Sequence, residues 1–145
     1  MAGSPFETAS ALRVSMSLLT RRLRQTAPDV GGDLALPQRA ALARLDHNGP
    51  MTSAALARLE GISPQSMGST LASLEHAGLV QREHDPGDAR QVLMSLTPAG
   101  RRVLRDRRDA RVRQLAAALS REFDDAELEV LAKAAPLLER LGQRL

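Results

Sequence analysis

Asp88 and Arg90 stand either side of a single alanine in the stretch HDPGDARQVLMSLTPAG, His84 to Gly100. A guanidinium beside a carboxylate is suited to gripping an anion, because the carboxylate can hold the planar fork in orientation. Bond-breaking chemistry has much less to work with. The chain has no cysteine, which excludes disulfides, thiol redox sensing, cysteine nucleophiles and thiolate zinc sites. His47, His76 and His84 lie apart and show no ligand spacing, so ordinary surface or core histidines are expected. There is no Gly-rich phosphate loop, nucleophile elbow or carboxylate pair in a pocket pattern. No cofactor and no metal are expected, and the chain does not read as an enzyme.

The elements that would position such a grip are mostly helices. The 145 residues, 43% hydrophobic, fit one domain or one domain with helical extensions. No run reaches the roughly 18 apolar residues of a membrane span, and MAGSPFETAS lacks a signal pattern. A soluble, cytoplasmic protein with no membrane partner is expected. Net charge is +3 and Lys133 is the only lysine; an arginine excess of this size permits a nucleic-acid partner and is equally a matter of coding composition.

Leu12, Met16, Leu19 and Leu23 form one apolar stripe, predicting a helix from Pro5 to Thr26 capped by Ser4, with Glu7 closing a capping box. APDVGGD breaks it. Pro37 opens a second helix that turns Ala41, Leu42 and Leu45 inward, and Gly49–Pro50 ends it. Two short helices follow, capped by Thr52 and Ser63, with Met51/Leu56 and Ile62/Met67 at staple spacing and Gly61 between them. Leu56, Leu59, Ile62, Met67, Leu71 and Leu74 are expected to close a three-helix core. LVQRE and QVLMSL then flank a turn, and Val92, Met94 and Leu96 alternate as one buried face of a hairpin whose tip is Asp-Ala-Arg. Thr97 caps a helix to about Ser120 or Arg121, and Asp124 with Glu127 caps the last, where Pro136 is expected to kink or interrupt it. The first and last helices carry apolar stripes that a monomer of this size could not easily cover, so a homodimer is expected.

Helix, turn, helix and hairpin is the order of a winged helix. A capped helix of this kind can enter the major groove of DNA while the hairpin tip reaches a phosphate or the adjacent minor groove. The stretch from Leu71 to Gly100, LASLEHAGLVQREHDPGDARQVLMSLTPAG, resembles the MarR family (multiple antibiotic resistance regulators). It has that family's Leu-Glu and Gly-Leu-Val at the end of the recognition helix, then Arg, Asp-Pro, Asp-x-Arg and Leu-Thr-x-x-Gly. Helix order and length fit over nearly the whole chain.

The resemblance implies a fold that is mainly α with a small β-hairpin wing: a winged helix-turn-helix core at 35–100, with dimerisation helices at 1–34 and 101–145. It implies a homodimer reading an inverted repeat in double-stranded DNA, and a small-molecule effector as a candidate partner. Carried onto this chain, the recognition helix is 63–77 and the wing 84–91. Ser63, Pro64, Gln65, Ser66, Ser69 and Thr70 are candidate groove contacts, with Gln65 suited to an adenine edge. Thr52 and Ser53 are candidates for phosphate at a helix start, and Asp88 and Arg90 for the wing. The serines can equally serve only to cap and solvate, and Asp88 only to shape its turn.

Charge sits unevenly. Between Gly61 and Gly100, Arg82 and Arg90 face Glu75, Glu83, Asp85 and Asp88, net −2, and the recognition helix has no Lys or Arg. Phosphate affinity then falls to arginines such as Arg39 or Arg58, or to helix N-termini, with a shallow salt dependence. Arg101 to Arg113 carries seven arginines and two aspartates, net +5, balanced by five acids in Glu122 to Glu129, so pairing or a solvated face is expected, Arg101 and Arg102 being closest to phosphate. Arg13, Asp46 and His47 are weak candidates for lining an effector cleft. The alternative to a regulator is a helical interaction module whose winged helix binds no specific DNA; salt-sensitive, sequence-selective binding that depends on Arg90 separates the two.

Overall fold

The computed structural model describes residues 3–26 and 32–145. Of the expected helix break APDVGGD, Ala27 to Gly31 lie outside the described residues. Six helices and one hairpin follow in the expected order: α1 Pro5–Gln25, α2 Leu36–Asn48, α3 Ser53–Glu60, α4 Pro64–His76, β1 Val80–Asp85, β2 Asp88–Leu96, α5 Pro98–Glu122 and α6 Asp125–Gly142. Among the described residues no helix is long and apolar enough to cross a membrane.

Helix starts follow their local chemistry. The side chains of Ser4, Thr52, Ser63 and Asp124 each accept a backbone N–H from the first turn, and Ser4/Glu7 and Asp124/Glu127 close capping boxes. Gly61, at φ 64°, takes the left-handed conformation that ends α3 and lets α4 begin shortly after it.

Two compact units are distinguished. One comprises Met1–Ala27 with Ala110–Leu145, the other Pro28–Asp109. In the second, Ala41, Leu42 and Leu45 of α2 meet Leu56 and Ala57 of α3, Met67, Leu71 and Leu74 of α4, and Leu79, Val80, Met94 and Leu96 around the hairpin. Val103 and Leu104 of α5 pack against this cluster. Leu59 and Ile62, expected in the core, are 46% and 37% exposed: a helix as short as α3 and the connection after it cannot point every apolar residue at one centre. In the first unit, Gln114 donates from Nε2 to the carbonyl of Thr26 at 2.9 Å and to its hydroxyl, tying α5 to the end of α1. Neither α1 nor α6 has a buried residue. Helix α6 runs unbroken through Pro136, so the expected interruption does not occur; the ring removes only one N–H from the ladder.

The hairpin departs from simple alternation. Pairing is regular from Val80↔Leu96 to His84↔Val92, then jumps to Asp85↔Asp88, leaving Ala89, Arg90 and Gln91 of β2 without counterparts. Met94 also bridges to Met51 through both backbone hydrogen bonds, 2.7 and 3.1 Å. Met94 and Leu96 are buried as expected, but Val92 is 41% exposed. Below the hairpin, Thr97 joins three elements: its N–H donates to the Leu79 carbonyl at 3.1 Å, its hydroxyl donates to the Gly78 carbonyl at 2.6 Å and accepts from the Gly100 N–H at 3.1 Å. Gly100 is buried against that same Leu79 carbonyl.

Candidate nucleic-acid interface

The recognition helix α4 buries Met67, Leu71 and Leu74 and leaves the opposite side exposed. At 100° per residue, Gln65, Ser69, Ala72 and His76 fall along the centre of that exposed side, flanked by Ser66 and Ser73 on one edge and Gly68 on the other. Gln65 and Ser69 therefore face outward, and neither side chain is held by a hydrogen bond among the described residues. Ser63 is engaged: its hydroxyl accepts the Ser66 N–H at 3.1 Å and donates to the Ser66 hydroxyl at 2.9 Å. Pro64 is exposed at the first helical position, and Thr70 is only half exposed, toward the buried side. Ala72 and Ser73 also face outward, beyond the residues that sequence reasoning singles out; the 3.6-residue period counted from Gln65 carries the signal that finds them.

Thr52 is occupied as the cap of α3, accepting from the Ala55 N–H at 3.1 Å, and Ser53 begins the helix, half exposed. A cleft of about 120 Å³ opens among Ser53, Gly68, Leu71, Arg82, Val92 and Met94. Val92, exposed at the surface, is among the residues that line it.

The hairpin tip is Pro86–Gly87, not the expected Asp-Ala-Arg. Asp85 Oδ1 accepts the Gly87 N–H at 2.8 Å, and Asp88 Oδ1 accepts the Arg90 N–H at 3.0 Å. The Asp88 carboxylate thus holds the backbone of Arg90, where its guanidinium was expected. Arg90 lies in the bulge, exposed, with no ion pair among the described residues. Arg82 is committed elsewhere, its Nε 2.8 Å from Glu75 Oε2, a pair that joins β1 to the end of α4.

Other cations divide similarly. Arg58 is exposed on α3, while the Nε of half-buried Arg39 has no hydrogen-bond partner among the described residues. Arg101 and Arg102 are exposed at the start of α5. Arg108 reaches Asp46 at 3.4 Å, and Asp124 and Glu127 are taken up in the cap of α6. Asp46 is thereby paired; His47 is exposed at the end of α2, and Arg13 belongs to the other compact unit.

The family profile described as MarR matches residues 34–92, the span from the start of α2 to the bulge of the wing. An HTH-type transcriptional regulator of Mycobacterium tuberculosis is 36% identical over 138 residues, covering 95% of this chain and 94% of the relative. The chain belongs to the MarR family. The likeness to solved structures extends over nearly the whole chain. A crystal structure of a transcriptional regulator from Pseudomonas aeruginosa, 32% identical, superposes with a TM-score of 0.77 over 95% of this chain and 94% of the other. A MarR family protein from Bacillus stearothermophilus, 22% identical, shares the fold at a TM-score of 0.73 over 97% and 99%. An HTH-type transcriptional repressor of M. tuberculosis is 38% identical over 80 residues, 55% of this chain and 57% of the relative. Like its family, this winged helix-turn-helix protein is a DNA-binding transcriptional regulator, and the relatives are named as transcriptional regulators.

Proposed function

We propose that this MarR-family regulator acts in the cytoplasm as a homodimeric repressor of a near-palindromic operator. In this reading 35–100 binds DNA, while 1–34 and 101–145 make the dimer. The observation that carries it is the outward face of α4, whose Gln65 and Ser69 side chains have no partner among the described residues, beside a wing whose Arg90 side chain has none among them either. The 63–77 helix enters the major groove through Gln65, Ser66 and Ser69, with Ser63, Pro64 and Thr70 at its margins. Thr52 and Ser53 meet phosphate at the start of α3. Arg90 enters the minor groove, where negative potential favours a guanidinium, and Asp88 keeps the bulge that presents it. Repression as the sign of regulation rests on the named repressor among the relatives, and release by a small effector completes the cycle.

The dimer rests on α1 and α6. Val14 at 56% and Val130 at 66% exposure stand in a series that includes Met16, Leu19, Leu131 and Leu137, and apolar area of this kind is normally covered. Light scattering at micromolar concentration should return twice the 15.6 kDa of one chain. A single-chain mass would remove the dimer from the proposal.

Selection of genomic fragments by the purified protein at two salt concentrations tests the regulator reading. A near-palindromic site should be recovered, with a shallow salt dependence because few cations face the duplex. Arg90→Ala should weaken binding roughly tenfold and flatten the salt slope by about one unit. Its melting temperature should barely move, since the side chain is exposed and has no partner among the described residues. Recovery of no site by a folded dimer would favour a protein-interaction module instead.

A further inference from the structure

The outward face of the recognition helix has a narrow chemical inventory. Its exposed positions are Gln65, Ser66, Gly68, Ser69, Ala72, Ser73 and His76, and the residues nearest the helix start, which meet base edges in this class of docking, are neutral. Guanine is most often read by Arg or Lys on O6 and N7, and cytosine by Glu or Asp on N4. α4 presents neither type to the groove: its single acid, Glu75, is engaged with Arg82 at 2.8 Å. What it does present is one carboxamide, which fits adenine N6 and N7, and small side chains, including the Ala72 methyl, which fit the thymine methyl. Gly68 has open space around it, with no neighbouring heavy atom within 4 Å of the point a Cβ would occupy, so the helix has a low profile there and can sit deep in the groove.

Resting on the DNA-binding reading above, we infer that this recognition helix is specialised for A·T pairs: Gln65 holds an adenine through N6 and N7, and Ala72 lies against a thymine methyl in each half-site. Ser66 and Ser69, which can donate or accept, add contacts without changing that bias. Arg90 in the wing bulge acts in the same direction, because narrow minor grooves are a property of A-tracts.

Selection of the full-length protein against a random duplex library tests this, followed by single-atom changes in the selected site. The half-sites should carry A·T pairs at the positions protected in the major groove. Replacing the adenine that faces Gln65 by 7-deazaadenine, which lacks N7, should weaken the wild-type protein about 2- to 12-fold. Gln65→Leu should lose about 5- to 150-fold on the normal site and be indifferent to 7-deazaadenine. Uracil for the thymine facing Ala72 should cost about fourfold. Selected half-sites with G·C at those positions, or an equal 7-deazaadenine penalty in both proteins, would overturn the A·T assignment and leave the regulator intact. A folded protein that selects no site would overturn the DNA-binding reading and the assignment with it.

Discussion

Gly100→Ala should destabilise the protein by about 3 kcal/mol or more, lowering its melting temperature by roughly 10 °C. Helix propensity alone gives the opposite sign, since Gly to Ala within a helix gains about 1 kcal/mol. The difference is steric. A Cβ at position 100 would stand 2.1 Å from the Leu79 carbonyl oxygen and 3.1 Å from its carbon. That oxygen is backbone and already accepts the Thr97 N–H at 3.1 Å, so retreat means giving up the junction between α4, β2 and α5. The Thr-x-x-Gly pairing of Thr97 with Gly100 in the LTPAG stretch is therefore a packing requirement as well as a helix start. Thermal unfolding followed by circular dichroism measures it; an unchanged or raised melting temperature would show that propensity prevails over the clash.

Leu42→Ala should cost about 2–5 kcal/mol, the range for a leucine lost from a core that relaxes only partly. Leu42 is completely buried, as are Leu56 and Leu74 beside it in the cluster that joins α2, α3 and α4. The cavity would lie beneath the recognition helix, so DNA affinity should fall as well, through loss of a fixed seat for α4 and without loss of any groove contact. Leu36→Ala, at a side chain 72% exposed, is the matched control and should stay within about 0.5 kcal/mol of wild type. Denaturant unfolding of the three proteins separates the outcomes, and a Leu42→Ala protein as stable as the control would place the core elsewhere.

What can be read in advance follows how local its cause is. Ser4, Thr52, Ser63 and Asp124 cap as expected, because a cap is a bond between neighbours in sequence. Ala41, Leu42 and Leu45 point inward because helical period decides it. Val92 departs for the opposite reason: alternation says which residues share a face, and only the placement of α3 and α4 decides how far along the strand that face is covered. The bulge at Ala89 to Gln91 is hidden too, since Asp-Pro-Gly-Asp announces a turn without setting the register after it. In the candidate interface Gln65 and Ser69 are legible as polar residues early in a helix. Ala72 is not, because a methyl group advertises no chemistry until its direction is known. The partner of Asp88 differs from the expected one because an acid two residues before an arginine can satisfy the backbone N–H as readily as the guanidinium.

The hairpin has one open edge. β2 is flanked by β1 and, at Met94, by Met51, whereas β1 has β2 as its sole strand partner among the described residues. An unpaired row of N–H and C=O groups invites another copy to add a strand. Here the exposed strand reads Gln-Arg-Glu-His-Asp after Val80, its arginine tied back to Glu75 and its end turned by Pro86 and the bulge. Charge, proline and bulge are three independent obstacles to edge-to-edge aggregation. The same acids that make this segment a poor phosphate binder keep wings of neighbouring molecules from zipping together, which leaves the hairpin free for the duplex contact proposed for it.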